Sequence, residues 1–252
     1  MSFPNIVHLD DQQIYVNELA RGMPVGQRVE TADGRVFRYA LAGGTALISG
    51  NLQACSAQVG HANNDNLVVV NNVSVGDTSI AITNGATTWT KDELKGGSLV
   101  NQKVAELGAH FWRIHENTAE AAGSAEMTLT LSPGVTFDTL LTAGTSTVNI
   151  APSPWSKVII NPASVSGIPV GVAMTIVTAA YYGLLQTGGL GSCKIDTTNT
   201  PTVGERLVPA STSAGAMNSQ TQDVNDPCCA WMLQIASMQS LDHTQVYLII
   251  DR

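Results

Sequence analysis

The sequence predicts a mainly β protein made of small barrel or sandwich modules with an extended N-terminal arm. Three features carry that expectation. Short runs rich in Val, Ile and Thr recur along the chain, and Gly, Asn and Pro turn signals separate them. Parallel βαβ units would need helices of about ten or more residues between strands, and the small-residue-rich pattern offers none.

Taken in order, residues 1–20 differ from the rest. Ile6, Leu9, Ile14, Val16 and Leu19 mix with Asp10, Asp11 and Glu18 without a two-residue period. An arm with a short helix around Asp10 to Ala20 is expected, with Asp10 or Asp11 as N-cap and Gly22 as the stop. From Val25 the texture changes. Asp33-Gly34 is a hairpin turn signal, and Arg35 to Ala40 follows with strand alternation.

Further strands are expected at Leu67 to Val70, Thr78 to Thr83, Gly97 to Lys103, His110 to Glu116, Met127 to Leu131, Thr147 to Ile150, Val158 to Asn161, Val172 to Val177, Tyr181 to Gln186, Trp231 to Ala236 and Gln245 to Ile250. Turn signals stand between them at Asn84-Gly85, Ser132-Pro133-Gly134, Asn161-Pro162 and Gly188-Gly189. One short helix is expected at Lys91 to Leu94. Val25-Gly26-Gln27, Val75-Gly76-Asp77 and Val203-Gly204-Glu205 look like one Gly turn used three times at unequal separations, which is reused turn chemistry and not a solenoid period.

Ala151-Pro152-Ser153-Pro154 is the expected boundary, which divides the chain into an arm (1–24), a β-rich domain (25–150) and a C-terminal barrel-like domain (151–252). Ser211 to Pro227 reads as a long exposed loop.

Composition narrows the function. Hydrophobic residues are 44% of the 252 and charged residues only 13%, so much of the surface must be Ser, Thr, Asn, Gln and small apolar side chains, as on faces buried by neighbours. The net charge of −8, with its cations scattered singly, argues against an electrostatic grip on nucleic acid. No apolar stretch reaches the roughly 20 residues of a spanning helix, and the first residues carry no secretory pattern. Synthesis in a reducing cytoplasm is therefore expected. Cys55, Cys193, Cys228 and Cys229 lack metal-site spacing and read as free, buried or half-buried thiols.

The chemistry-bearing segments each have an ordinary alternative. Gly189-Leu190-Gly191-Ser192-Cys193 is neither a nucleophile elbow nor a dinucleotide fingerprint and is expected to be a connecting turn. His110 to Glu116 is the densest set of functional side chains. As a regular strand it puts His110, Trp112, Ile114 and Glu116 on one face and Phe111, Arg113 and His115 on the other, so the two histidines point apart. A hydrolase with an unusual site would have to use His110, His115 and Glu116, against the plainer reading of core aromatics beside polar neighbours. His61 with Asp65, and Asp242 with His243, sit in polar loops with no nucleophile nearby. Asp10-Asp11 and Asp92-Glu93 lack the ligand ring of a Ca²⁺ loop. Trp89, Trp112, Trp155 and Trp231 are either core anchors or part of an aromatic platform for sugars or bases. No catalytic, cofactor-binding or metal-binding residue is assigned, and no cofactor is expected.

Two stretches carry a resemblance. Gly26 to Glu30, Asp33 to Ala40 and Ala42-Gly43-Gly44 resemble the opening of structural proteins encoded near capsid genes in tailed phages. Tyr181 to Gly189, Val203 to Leu207 and Ala214-Gly215 look like the β-barrel segment of the same proteins and, more loosely, of head decoration (cement) proteins. The stretch from about Asn66 to Ile150 resembles nothing firmly. The resemblance implies a non-enzymatic protein on the outer surface of a phage head, bound to the major capsid protein and to copies of itself as a homotrimer. The other class of reading is a glycan-binding module of a head fibre or tail.

Overall fold

The structure, a computed structural model, describes residues 6–57, 62–83, 85, 87–102, 110–120, 125–163, 167–199, 201–220, 227–234 and 241–251. It is nearly all β, as its sequence predicts. Contacts divide the chain into two compact units: Met1–Ser56 with Pro154–Arg252, and Ala57–Ser153. The C-terminal edge of the second unit falls inside the expected Pro-Ser-Pro boundary. The first 56 residues, however, pack with the C-terminal part and do not lead into a 25–150 domain. The reason is a strand pairing across about 140 intervening residues, between Val36–Leu41 and the strand that starts at Tyr182.

Unit 1 opens with β1 (Ile6–His8), β2 (Arg28–Glu30), β3 (Val36–Leu41) and β4 (Leu52–Ala54). Unit 2 holds β5 (Leu67–Val68), β6 (Ser79–Thr83), β7 (Ser98–Asn101), β8 (Phe111–Asn117), β9 (Glu126–Leu131) and β10 (Thr147–Ala151). Unit 1 resumes with β11 (Ile159–Ile160), β12 (Pro169–Ala173), β13 (Tyr182–Lys194), β14 (Arg206–Pro209), β15 (Met217–Ser219), β16 (Ala230–Met232) and β17 (His243–Ile249).

In unit 2 the antiparallel order is β5-β10-β7-β8-β9-β6. The Val69↔Ile82 bridge and a 2.8 Å bond from the Val70 N–H to the Ala81 carbonyl bring the two ends together, so the sheet is nearly closed into a barrel. Alternation then sorts the side chains. Ile80, Ile82, Leu99, Ile114, Met127, Leu129, Val148 and Ile150 point inward with Trp89 and Phe137, and each large apolar side chain buried this way contributes about 1.5–3 kcal/mol.

In unit 1 the path is β1-β2-β3-β13-β17-β16-β14-β15, with β12 pairing β13 and β4, and β11 pairing β4. The Ile195↔Met217 bridge returns β15 to the end of β13 and rounds this part of the sheet into a small barrel. Its core is Leu52, Val172, Cys193, Ile195, Leu207, Met217, Cys229, Ala230, Met232, Val246 and Leu248. The expected β2–β3 hairpin forms: the Gly34 N–H donates to the Thr31 carbonyl at 3.0 Å, and Gly34 takes φ +82°.

Several local expectations are corrected. The Asp10 to Ala20 helix is a single 3₁₀ turn, Gln13–Tyr15, because fully buried Ile14 is pinned in a cluster with Val29, Phe37, Tyr39 and Leu184. The arm is extended, and it lies on its own unit: β1 pairs in parallel with β2, and Tyr39 Oη donates to Glu18 Oε2 (3.1 Å) while accepting from the Gly22 N–H (2.9 Å). Burial, with the Glu18 carboxylate adding to it, pushes the Tyr39 hydroxyl up to about 12 against the lowering effect of the Gly22 N–H. Lys91 to Leu94 is a run of turns and not a helix, with Asp92 at φ +62°. Gly189 to Cys193 belongs to β13, the longest strand, and is not a connecting turn. Glycine permits this because β13 changes partner there. Gly189 (φ +85°) lies where an added Cβ would meet the Arg35 Cα at 3.1 Å, and the Gln186 side-chain amide bonds the Gly188 and Leu190 carbonyls across the bulge. Within Ser211 to Pro227, Met217–Ser219 is a buried strand; 221–226 lie outside the described residues.

The threefold Gly echo is one structure. Gln27, Asp77 and Glu205 close four-residue turns by donating to the Pro24, Ser74 and Thr202 carbonyls at 3.0, 3.1 and 3.1 Å. Gly26, Gly76 and Gly204 sit at φ +83°, +98° and +82°. Each glycine N–H donates at 2.8 Å to one residue of a neighbouring segment (Tyr39, Phe137, Met232), and that residue's N–H returns a bond to the carbonyl after the glycine. Gly50 with Ala173, and Gly96 with Ile114, repeat the arrangement.

The turn is therefore demanding at one atom. A Cβ on Gly204 would meet nothing within 4 Å, so Gly204→Ala is expected to cost about 1–2 kcal/mol purely through left-handed backbone strain. Gly44→Ala, equally unobstructed and not left-handed, should cost much less; urea unfolding of both variants measures the difference.

Candidate functional site

The β8 segment is built by the unit 2 barrel wall. Trp112 and Ile114 point into the core, while Phe111 is 67% exposed and so is not a core aromatic. The strand is not regular: pairing runs Ile114↔Leu131 and then Glu116↔Thr130, so one extra residue bulges out at His115. Asn117 and not Glu116 takes the next inward place, where its side chain accepts from the Leu94 N–H (2.8 Å) and donates to the Thr90 and Thr118 carbonyls.

The two histidines have separate partners. The His110 ring stacks on Trp112 (5.6 Å between centroids) and its Nδ1 lies 2.9 Å from Asp138 Oδ2. Burial works to raise the Asp138 carboxyl, and hydrogen bonds from His110, its own backbone and Trp112 outweigh it, holding it below the usual carboxylate range. His115 Nε2 lies 3.6 Å from Glu116 Oε1. A cleft of about 370 Å³ beside this strand is lined by Lys91, Glu116, Asn117, Thr118, Ala119, Thr128 and Thr130, and neither histidine borders it. The three residues a hydrolase would need are therefore not assembled around one cavity.

The other candidates are placed singly. His61 lies outside the described residues. His243 begins β17 and covers Gly50, where an added Cβ would meet its Nε2 at 2.3 Å. Asp11 pairs with Arg35 at 2.5 Å, and Glu93 accepts from the Thr90 N–H and hydroxyl, closing the turn at Lys91. Cys55, Cys193 and Cys229 are buried and Cys228 is half-buried, all as free thiols; burial pushes the Cys193 thiol far up and the Cys55 thiol up. Among the described residues no three His, Cys, Asp or Glu side chains gather in a metal-binding group. The tryptophans divide: Trp89 and Trp112 are core, whereas Trp155 and Trp231 are half-buried under the guanidinium groups of Arg38 (5.0 Å) and Arg206 (5.3 Å).

One strong electrostatic feature escaped the sequence. Asp196, 2% exposed just after β13, accepts from the Thr198 N–H (2.9 Å), the Thr198 hydroxyl (2.6 Å), the Thr212 hydroxyl (2.5 Å) and Ser213. The Ser213, Thr198 and Thr212 bonds hold its carboxyl far below the usual range against an opposing burial effect. The arrangement ties the 197–199 turn to the loop before β15, and it is a fastening, with every acceptor site directed at the protein's own donors. Thr and Ser spaced 2, 16 and 17 residues away in sequence give no local pattern by which to foresee it.

Comparison with protein-family models, with curated proteins and with solved structures returned no match in any of the three.

Because the folded carboxyl of Asp196 titrates below its unfolded value of about 3.9, its stabilisation is present above that pH and lost as pH falls through the folded value. Asp196→Asn should cost about 1–3 kcal/mol at neutral pH, and the gap to the parent should narrow below about pH 4. Chemical denaturation across that pH range checks both the size and the sign.

Proposed function

We infer that this chain is a non-enzymatic virion structural protein, one that binds the outer surface of a phage head and stabilises contacts between major capsid protein subunits. The observation that carries the reading is a coincidence of position. The stretches that resemble tailed-phage head proteins are the ones that build unit 1: the β2–β3 hairpin, β13, the Gly204 turn into β14, and the Gly215 turn (φ +71°) before β15.

The physical organisation supports it. Two barrel-like modules with alternating walls present area, and their polar clusters are spent on internal fastening. A specific contact needs on the order of 1,000 Å² or more, and many copies on one shell make modest contacts additive through avidity. Assembly as a homotrimer on the shell, with no direct contact to nucleic acid or membrane, belongs to the same reading, as does synthesis in the host cytoplasm followed by residence on the capsid exterior. No helix among the described residues is long and apolar enough to cross a membrane, which says nothing about β-barrels.

Mass spectrometry of purified particles is expected to find the protein in many copies per head, and imaging should place it on the outer face. Particles that assemble, hold DNA and lack the protein altogether would overturn the reading.

A further inference from the structure

The arm is held to its own unit by little. Of residues 6–24, Ile14 alone is buried. Otherwise β1 meets β2 over three residue pairs, Glu18 exchanges backbone bonds with Tyr182 at 3.0 and 2.8 Å, and Asp11 pairs with Arg35 at 2.5 Å. One inserted side chain and a few edge contacts make a strap that can leave its seat without disturbing the barrel cores.

The link behind the strap is short and tightly folded. Between Glu18, fixed to Tyr182, and Pro24, which opens the Gly26 turn, the chain folds back so closely that a Cβ on Gly22 would meet Glu18 Oε2 at 2.4 Å. A short, constrained hinge favours passing the attached segment to a second copy over closing it on its own.

The surface beside this hinge is apolar. Leu47 and Val177 form an antiparallel bridge, so Ile48 comes opposite Ile176; Asn17 Nδ2 donates to the Ile176 carbonyl at 2.5 Å, and Val16 and Leu19 flank that contact. Val16 is 52% exposed, Leu19 68%, Ile48 50% and Ile176 59%, so half of the patch belongs to the arm and half to the body. None of the four carries charge, on a chain of net charge −8. Contiguous apolar surface of this kind marks an interaction site, and a patch without charge meets its own copy without setting like charges together.

The fold itself identifies the occupant. The seat that Val29, Phe37, Tyr39 and Leu184 form around Ile14 fits this arm because it holds it, so the arm of a second copy makes the same contacts there. Those contacts cancel between the closed and exchanged forms. What remains is the cost of association set against burial of the patch at the hinge.

We propose that copies of this chain associate by exchanging arms, residues 6–20 of each lying in the seat of the next, with Val16, Leu19, Ile48 and Ile176 packed where the chains cross. The inference rests on the self-association included in the head-protein reading, and the two fail separately: particles without the protein end that reading, whereas the purified chain decides this one.

Sedimentation velocity on the full chain should show a discrete oligomer whose share grows with concentration. Leu19→Ser and Ile176→Ser, at exposed positions where thermal unfolding should show the variants folded, are expected to weaken association by about tenfold or more. A Gly-Ser-Gly-Ser insert between Arg21 and Gly22 should shift the chain towards monomer, because a longer link closes on its own seat. His8 and Glu30 are opposite each other in β1 and β2, so co-expressed His8→Cys and Glu30→Cys chains should give a covalent heterodimer with a short bismaleimide, well above either chain treated alone. A chain that stays monomeric from micromolar to millimolar concentration overturns the inference. So does an oligomer unchanged in both serine variants, or one that yields no heterodimer, since the patch alone would then be the contact.

Discussion

The architecture of both units hangs on one interaction, a left-handed glycine turn held by two reciprocal backbone bonds to a single residue of a neighbouring segment. A loop satisfied only by water leaves its backbone free to move, whereas this arrangement satisfies a turn donor and a turn acceptor from inside the protein. At Gly26, Gly76 and Gly204 the anchoring residue is Tyr39, Phe137 or Met232, each with its side chain in a core. The turn and the core are thereby coupled: moving either one breaks two bonds and displaces a large buried side chain. In two of the three, the residue after the glycine adds a carboxylate bond to the start of the turn, from Ser74 to Asp77 and from Thr202 to Glu205.

Near-closure of the sheets is the other consequence of this economy. An open antiparallel sheet exposes edges, and the Val69↔Ile82 and Ile195↔Met217 bridges bring edges together with no long strand added. With small barrel interiors filled by side chains, the outer walls are the surface left open to a partner. That is why the segment richest in chemically capable residues, His110 to Glu116, yields a stacked His–Trp pair and a bulge in place of an assembled site.

The candidate residues show how far a linear reading reaches. The parity of His110, Trp112 and Ile114 was legible, because alternation follows from pleat geometry alone; its failure at Glu116 was not, because a bulge depends on what the partner strand does. Gly189 to Cys193 reads as a turn on composition, and its true place in the longest strand depends on Arg35 and Val36 approaching from a hairpin far away in sequence. Asp196 looks like any isolated carboxylate until Thr212 and Ser213 fold back on it.

By itself the sequence determined the β class, most strand positions, the β2–β3 hairpin, the shared turn at Gly26, Gly76 and Gly204, and the free state of the thiols. These follow from propensity, alternation and the conformational freedom of glycine, which act over a few residues. Only the tertiary structure decided that residues 1–56 belong with the C-terminal part, that the arm lies against its own sheet, that Gly50 and Gly96 share the pinned turn, and that Trp231 and Tyr247 stand side by side on β16 and β17. Each of these is set by pairing between distant segments, and strand pairing is a property of two stretches of chain at once.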